Sequence, residues 1–92
     1  MTRTRVRIEE ILTILGVEDR RFLEALRVEG LFVDDELDPR QAEDLRVARV
    51  LIDDLGVNAP GVDVVLRLRR RMLALERRTR RLAEALEERS AP

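Results

Sequence analysis

The chain has 92 residues, 45% of them hydrophobic and 40% charged, with a formal net charge of −1. That length allows one small domain with a modest core, so an oligomer is the first expectation, and the apolar fraction is too high for a disordered chain. The absence of Cys and His excludes a disulfide framework and thiolate or imidazole metal sites, along with the commonest catalytic bases and nucleophiles.

The lack of Cys fits a cytoplasmic protein, and no stretch has the apolar core of a signal peptide or the length of a membrane span. Abundant Leu, Val, Ala, Arg and Glu, with Phe22 and Phe32 the two aromatics, predict an all-α chain. All 18 basic residues are Arg. Charge is distributed unevenly. Arg3, Arg5 and Arg7 make the first seven residues +3, residues 8–54 carry 14 acids against 6 arginines (−8), and residues 55–92 carry 9 arginines against 5 acids (+4).

Residues 1–7 read as a short, basic, extended or frayed start. Ile8, Ile11, Leu12 and Leu15 recur at helical spacing before Gly16, predicting a first helix over 8–15. Glu18 and Asp19 suit the positive end of a second helix over 19–29, with Phe22, Ala25, Leu26 and Glu29 on one face and Gly30 as the stop. Such a helix–Gly–helix pair is the outline of a helix-turn-helix. Leu31, Phe32 and Val33 form a short apolar stretch, and Asp34, Asp35 and Glu36 a tight acidic loop. Asp38-Pro39-Arg40-Gln41 reads as a capping box with proline in the first turn. The third helix it opens runs to about Leu55, with Leu45, Ala48, Ile52 and Leu55 on one face. Asn58 or Ala59 caps a fourth helix over 60–88, with Pro60 in its first turn. The head therefore spans 1–57 and the last helix 58–92, within one structural domain.

The fourth helix carries two patterns. Val65, Leu68, Met72, Leu75, Thr79, Leu82 and Leu86 step by three and four, the heptad seam of a coiled coil. Val62, Leu66 and Leu73 widen the stripe near its start, so the first half packs on its own head and the second half needs a partner helix. A homodimer follows; the alternative is a lone helix folding back on the head. Residue spacing leaves parallel and antiparallel pairing open.

The sequence carries no catalytic, metal-binding or cofactor constellation, and a non-enzyme is expected. Asp53 and Asp54 are adjacent on a helix and point about 100° apart, so they form no dyad. Asp34-Asp35-Glu36 lacks the calcium-loop pattern. Binding of duplex DNA requires neutralisation of phosphates, and the −8 head opposes it. In that reading Arg20, Arg21 and Arg27 would face the duplex, helped by Arg3, Arg5 and Arg7. The arginines between 67 and 81 read instead as the wet face of the coiled coil. An acidic head suits a basic protein surface.

The order of elements resembles the MerR superfamily. Val6-Arg7-Ile8-Glu9-Glu10-Ile11 is similar to that family's opening, and the stretch from Glu18-Asp19-Arg20-Arg21-Phe22-Leu23 to Glu29-Gly30-Leu31 is similar to its second helix. Asp54-Leu55-Gly56-Val57-Asn58-Ala59-Pro60-Gly61-Val62 resembles the CbpM branch of chaperone modulators and also the heat-shock repressor HspR. The resemblance spans about residues 6–88. A wing cut to a few acids and a second helix without basic surplus favour CbpM over a DNA-binding regulator. The resemblance implies a homodimer that binds the J-domain of a DnaJ-like co-chaperone of the CbpA type and blocks its action on Hsp70. With the acidic head, it points to Asp34, Asp35, Glu36, Asp38, Glu43 and Asp44 as the partner surface. The alternative is a transcriptional regulator of the MerR or HspR type.

Overall fold

The computed structural model describes residues 4–90; Arg3 of the basic start, and Ala91 and Pro92 of the tail, lie outside the described residues. The chain is mostly helical, with four helices and one small sheet: β1 (Val6–Arg7), α1 (Ile8–Ile14), α2 (Arg20–Val28), β2 (Glu36–Leu37), α3 (Pro39–Asp53) and α4 (Ala59–Ser90). The four helices agree with the all-α expectation in outline, and a two-stranded antiparallel sheet, with Val6 opposite Leu37 and Arg7 opposite Glu36, adds to it. Two residues per strand give no readable alternation, so only the pairing itself reveals them.

Each helix end has an identifiable cause. Leu15 and Gly16 close α1, with Gly16 at φ 74° and the Val17 N–H donating to the Leu12 carbonyl at 2.9 Å. Asp19 caps α2 by accepting from the Arg21 N–H at 2.9 Å. Asp38 and Gln41 form the predicted capping box, at 2.8 and 3.1 Å. Helix α3 stops at Asp53, two residues before Leu55, which is exposed in the turn instead of on the buried face. Asn58 caps α4, its Oδ1 accepting from the Gly61 N–H at 2.9 Å. A Cβ on Gly61 would lie 2.7 Å from Val57 Cγ1, so glycine permits this close entry.

The core joins all the helices: Ile8 and Ile11 of α1, Leu26 of α2, Leu45 and Ala48 of α3, and Val62 and Leu66 of α4, with Leu31, Phe32 and Leu37 from the connecting segment. Ala25, expected on the buried face of α2, is exposed. Helix α4 is about 48 Å long at 1.5 Å per residue, and 57 residues cannot cover it. The radius of gyration is therefore 17.1 Å, against about 12 Å for a compact chain of this length. From Leu75 onward every described α4 residue is exposed, so the helix projects and does not fold back.

Leu66→Ala removes a fully buried side chain at the α4–head contact and is expected to cost about 2–5 kcal/mol. Asp38→Ala is expected to cost about 1 kcal/mol through the lost cap. Urea denaturation monitored by circular dichroism checks both, and equal midpoints for wild type and Leu66→Ala would contradict the assigned core.

Candidate functional site

The acidic stretch lies at the corner between α2 and β2. Gly30 leaves α2 at φ 79°, and Phe32 takes φ 52°, a left-handed backbone rare outside glycine. Burial of the Phe32 ring and a 2.9 Å hydrogen bond from Arg27 Nε to the Phe32 carbonyl hold that turn. Arg27 Nη2 also reaches Asp35 Oδ1 at 3.4 Å. The Ile8 N–H donates to the Asp35 carbonyl at 2.8 Å, and Arg5 Nη2 donates to the Glu36 carbonyl at 2.8 Å. Asp34, Asp35 and Glu36 thus have a fixed backbone and exposed carboxylates.

The other three expected contact residues have internal roles. Asp38 is the α3 cap. Glu43 accepts from Arg46 Nη2 at 2.6 Å and lies 3.9 Å from Arg69. Asp44 is 3% exposed. Arg69 Nη1 donates to its Oδ1 at 3.1 Å, and Arg70 Nη2 lies 3.7 Å from its Oδ2. Asp44 therefore belongs to the α3–α4 contact and leaves the candidate surface. A carboxylate placed there without a cation would be strongly destabilising.

The arginines of the DNA reading do not form a free row. Arg21 forks onto Asp19, with Nε 3.2 Å from both carboxylate oxygens and Nη2 at 3.0 Å. That hydrogen bond holds the Asp19 carboxyl below the usual range. Arg27 serves the Phe32 turn. Arg20 alone of the three has no ion pair among the described residues.

Helix α4 separates its two apolar patterns. Val62 and Leu66 are fully buried against the head, and Leu73 is half-buried. Along the heptad positions Val65 is half-buried and Thr79 exposed, while Leu68, Met72 and Leu75 are each 57% exposed, Leu82 65% and Leu86 64%. At about 100° per residue the heptad line lies roughly 120° around the helix from the head-facing line of positions 62, 66, 69 and 73. The head therefore leaves the seam open.

Among the described residues no group of acids is placed to hold a metal ion, and no helix is long and apolar enough to cross a membrane. No family model, no curated protein and no solved structure matches the chain. Sequence reasoning missed the pairing of Asp44 with Arg69 and Arg70 and the tie from Arg27 to Phe32. The first had a signal: Asp44 sits four residues before Ala48, and Arg69 three after Leu66, each a charge inside an apolar stripe.

Arg69→Met would leave Asp44 buried with Arg70 as its nearest cation and is expected to cost on the order of 3 kcal/mol. Arg70→Met should cost less because the shorter contact survives; denaturation midpoints give the order. Glu43 titrates below the usual glutamate range, first because of the Arg46 hydrogen bond. A carboxyl lowered on folding adds stability above its unfolded pKa, and that stability is lost as pH falls through the folded pKa. Both side chains are well exposed, so the contribution is small and salt-sensitive. Arg46→Gln is expected to raise the Glu43 midpoint in carboxyl-carbon NMR, and an unmoved midpoint would refute this cause.

Proposed function

We propose that this protein is a homodimeric, non-enzymatic adaptor whose acidic head binds a basic protein surface, the J-domain of a DnaJ-like co-chaperone, and keeps it from Hsp70. The observation that carries the reading is the imbalance of unpaired charge on the head. Within residues 8–54, Arg21, Arg27, Arg46 and Arg49 each have a carboxylate partner. Glu10, Glu18, Glu24, Glu29, Asp34, Glu36, Asp38 and Asp54 have no ion-pair partner among the described residues, against Arg20 and Arg40. Internal pairing thus concentrates the surplus as free acid, which favours encounter with a basic partner and repels a polyanion.

The resemblance to CbpM supplies the identity of the partner. It is supported by the element order: a helix–glycine–helix pair, a short acidic connection, a third helix and a long fourth. The residues that carry the resemblance between α3 and α4 have local roles: Gly56 turns at φ 66°, Asn58 caps and Gly61 permits close entry. The exposed heptad positions support the homodimer. Each leucine buried there contributes about 1.5–3 kcal/mol.

Binding of a purified J-domain to the full chain should weaken as salt rises. Asp34→Lys with Asp35→Lys should reduce affinity several-fold and flatten the salt dependence. Wild-type affinity equal at low and high salt would overturn the reading. Leu75→Asp with Leu82→Asp should convert the dimer to a monomer in sedimentation, whereas a wild-type monomer at tens of micromolar would remove the homodimer.

A further inference from the structure

A second feature of the head lies beside the acidic edge. Between α1 and α2 runs an open trough of about 410 Å³. Its floor is Leu12, Val17 and Leu23, each left half-buried with no other segment of the described chain over it. Glu9, Glu18 and Glu24 stand on its rim. Of the rim arginines, Arg27 is engaged by Phe32 and Asp35, which leaves Arg20 as the one without a partner among the described residues. Through Arg27 and Asp35 one end of the trough meets the acidic edge.

We infer that this trough takes one face of an amphipathic helix of the partner, with an apolar stripe in the floor and lysines or arginines against Glu18 and Glu24. The inference rests on the adaptor reading for the kind of partner and adds the site and the mode of binding. The walls of the trough are helical apart from the connection at 17–19, where the Val17 N–H already donates to the Leu12 carbonyl at 2.9 Å, so they offer no continuous ladder to an extended peptide. A helix satisfies its own backbone and needs only side-chain contact, which is the helix-in-groove mode. The trough holds side chains and not a whole helix, so an i, i+3, i+7 stripe is the matching shape. Rim charge selects a basic segment over an acidic one.

The test uses the full chain and two synthetic helical peptides of equal charge. One carries leucines at i, i+3 and i+7 flanked by lysines; its twin has serines in place of the leucines. Methyl NMR of the protein and fluorescence anisotropy of the peptides report site and affinity. The leucine peptide should bind about tenfold tighter than its twin, a difference of about 1.4 kcal/mol. It should shift the methyls of Leu12, Val17 and Leu23, and its affinity should fall several-fold with Glu18→Lys and Glu24→Lys. Both are exposed substitutions outside the core. Equal binding of the two peptides, or shifts confined to Leu75 and Leu82 on α4, would overturn the trough as the docking site. The same variants are then tried on the J-domain. Binding that is lost with Asp34→Lys and Asp35→Lys but indifferent to Glu18→Lys and Glu24→Lys would remove the trough and keep the adaptor. No J-domain binding, with the leucine peptide still seated in the trough, would remove the proposed partner and keep the site.

Discussion

The ion pair of Asp44 with Arg69 fixes how α4 leaves the head, and most of the molecule's shape follows from it. Val62 and Leu66 supply the burial, but apolar contacts are non-directional and tolerate rotation of a helix about its axis. A carboxylate 3% exposed with a guanidinium hydrogen-bonded at 3.1 Å is directional, because turning α4 would break the hydrogen bond that compensates the buried charge. The pair therefore sets rotation, and rotation sets which line of α4 faces outward. With positions 62, 66, 69 and 73 toward the head, the heptad line falls roughly a third of a turn away. Rotation by one residue in one direction would bring Leu68 and Met72 close to the head and cover part of the exposed heptad line.

Charge on the head follows from a similar local logic. Arginine–carboxylate contacts form at short sequence range: Asp19 with Arg21, Glu43 with Arg46, Arg49 with Asp53. These pairs are exposed and add little stability each. Their collective effect is on the field, because they neutralise most of the arginines and leave a surplus of acid facing solvent. The long-range contacts of Asp44 with Arg69 and Arg70, and of Glu43 with Arg69, draw cations from α4 into the head contact, away from the edge at 34–36, where Asp35 is paired with Arg27.

The four helices were legible because caps, glycine stops and apolar spacing agree with one another. Gly16, Gly30 and Gly56 take left-handed conformations after α1, α2 and α3, as their places in the sequence require. The separation of α4 into a head-facing and an outward line was also legible, from two overlapping periods. What was not legible depends on partners remote in sequence. The sheet pairs residues remote in sequence, Val6 with Leu37 and Arg7 with Glu36, through two residues per strand, too short for any period. Asp44 reads as one more acid in an acidic head until the opposite stripe of α4 is known to carry Arg69. The positive φ of Phe32 has no sequence mark, since Gly30 two residues earlier already explains a turn.

That Phe32 turn bears on how the acidic edge can bind. A left-handed non-glycine residue costs about 1–2 kcal/mol, and burial of the ring together with the Arg27 hydrogen bond offsets it. The result is a backbone at 31–37 tied on both sides: by Arg27 from α2, and by the Ile8 N–H and the β1 pairing from the start of the chain. A loop of three consecutive acids repels itself, and without these ties it would splay in solvent. Held in place, it presents its charge with the backbone ordering already complete on folding. Immobilising a segment on binding costs free energy, so an edge ordered in advance can recognise a basic surface through few contacts. Arg27 is then better understood as a positioning residue for the edge than as a reader of nucleic acid.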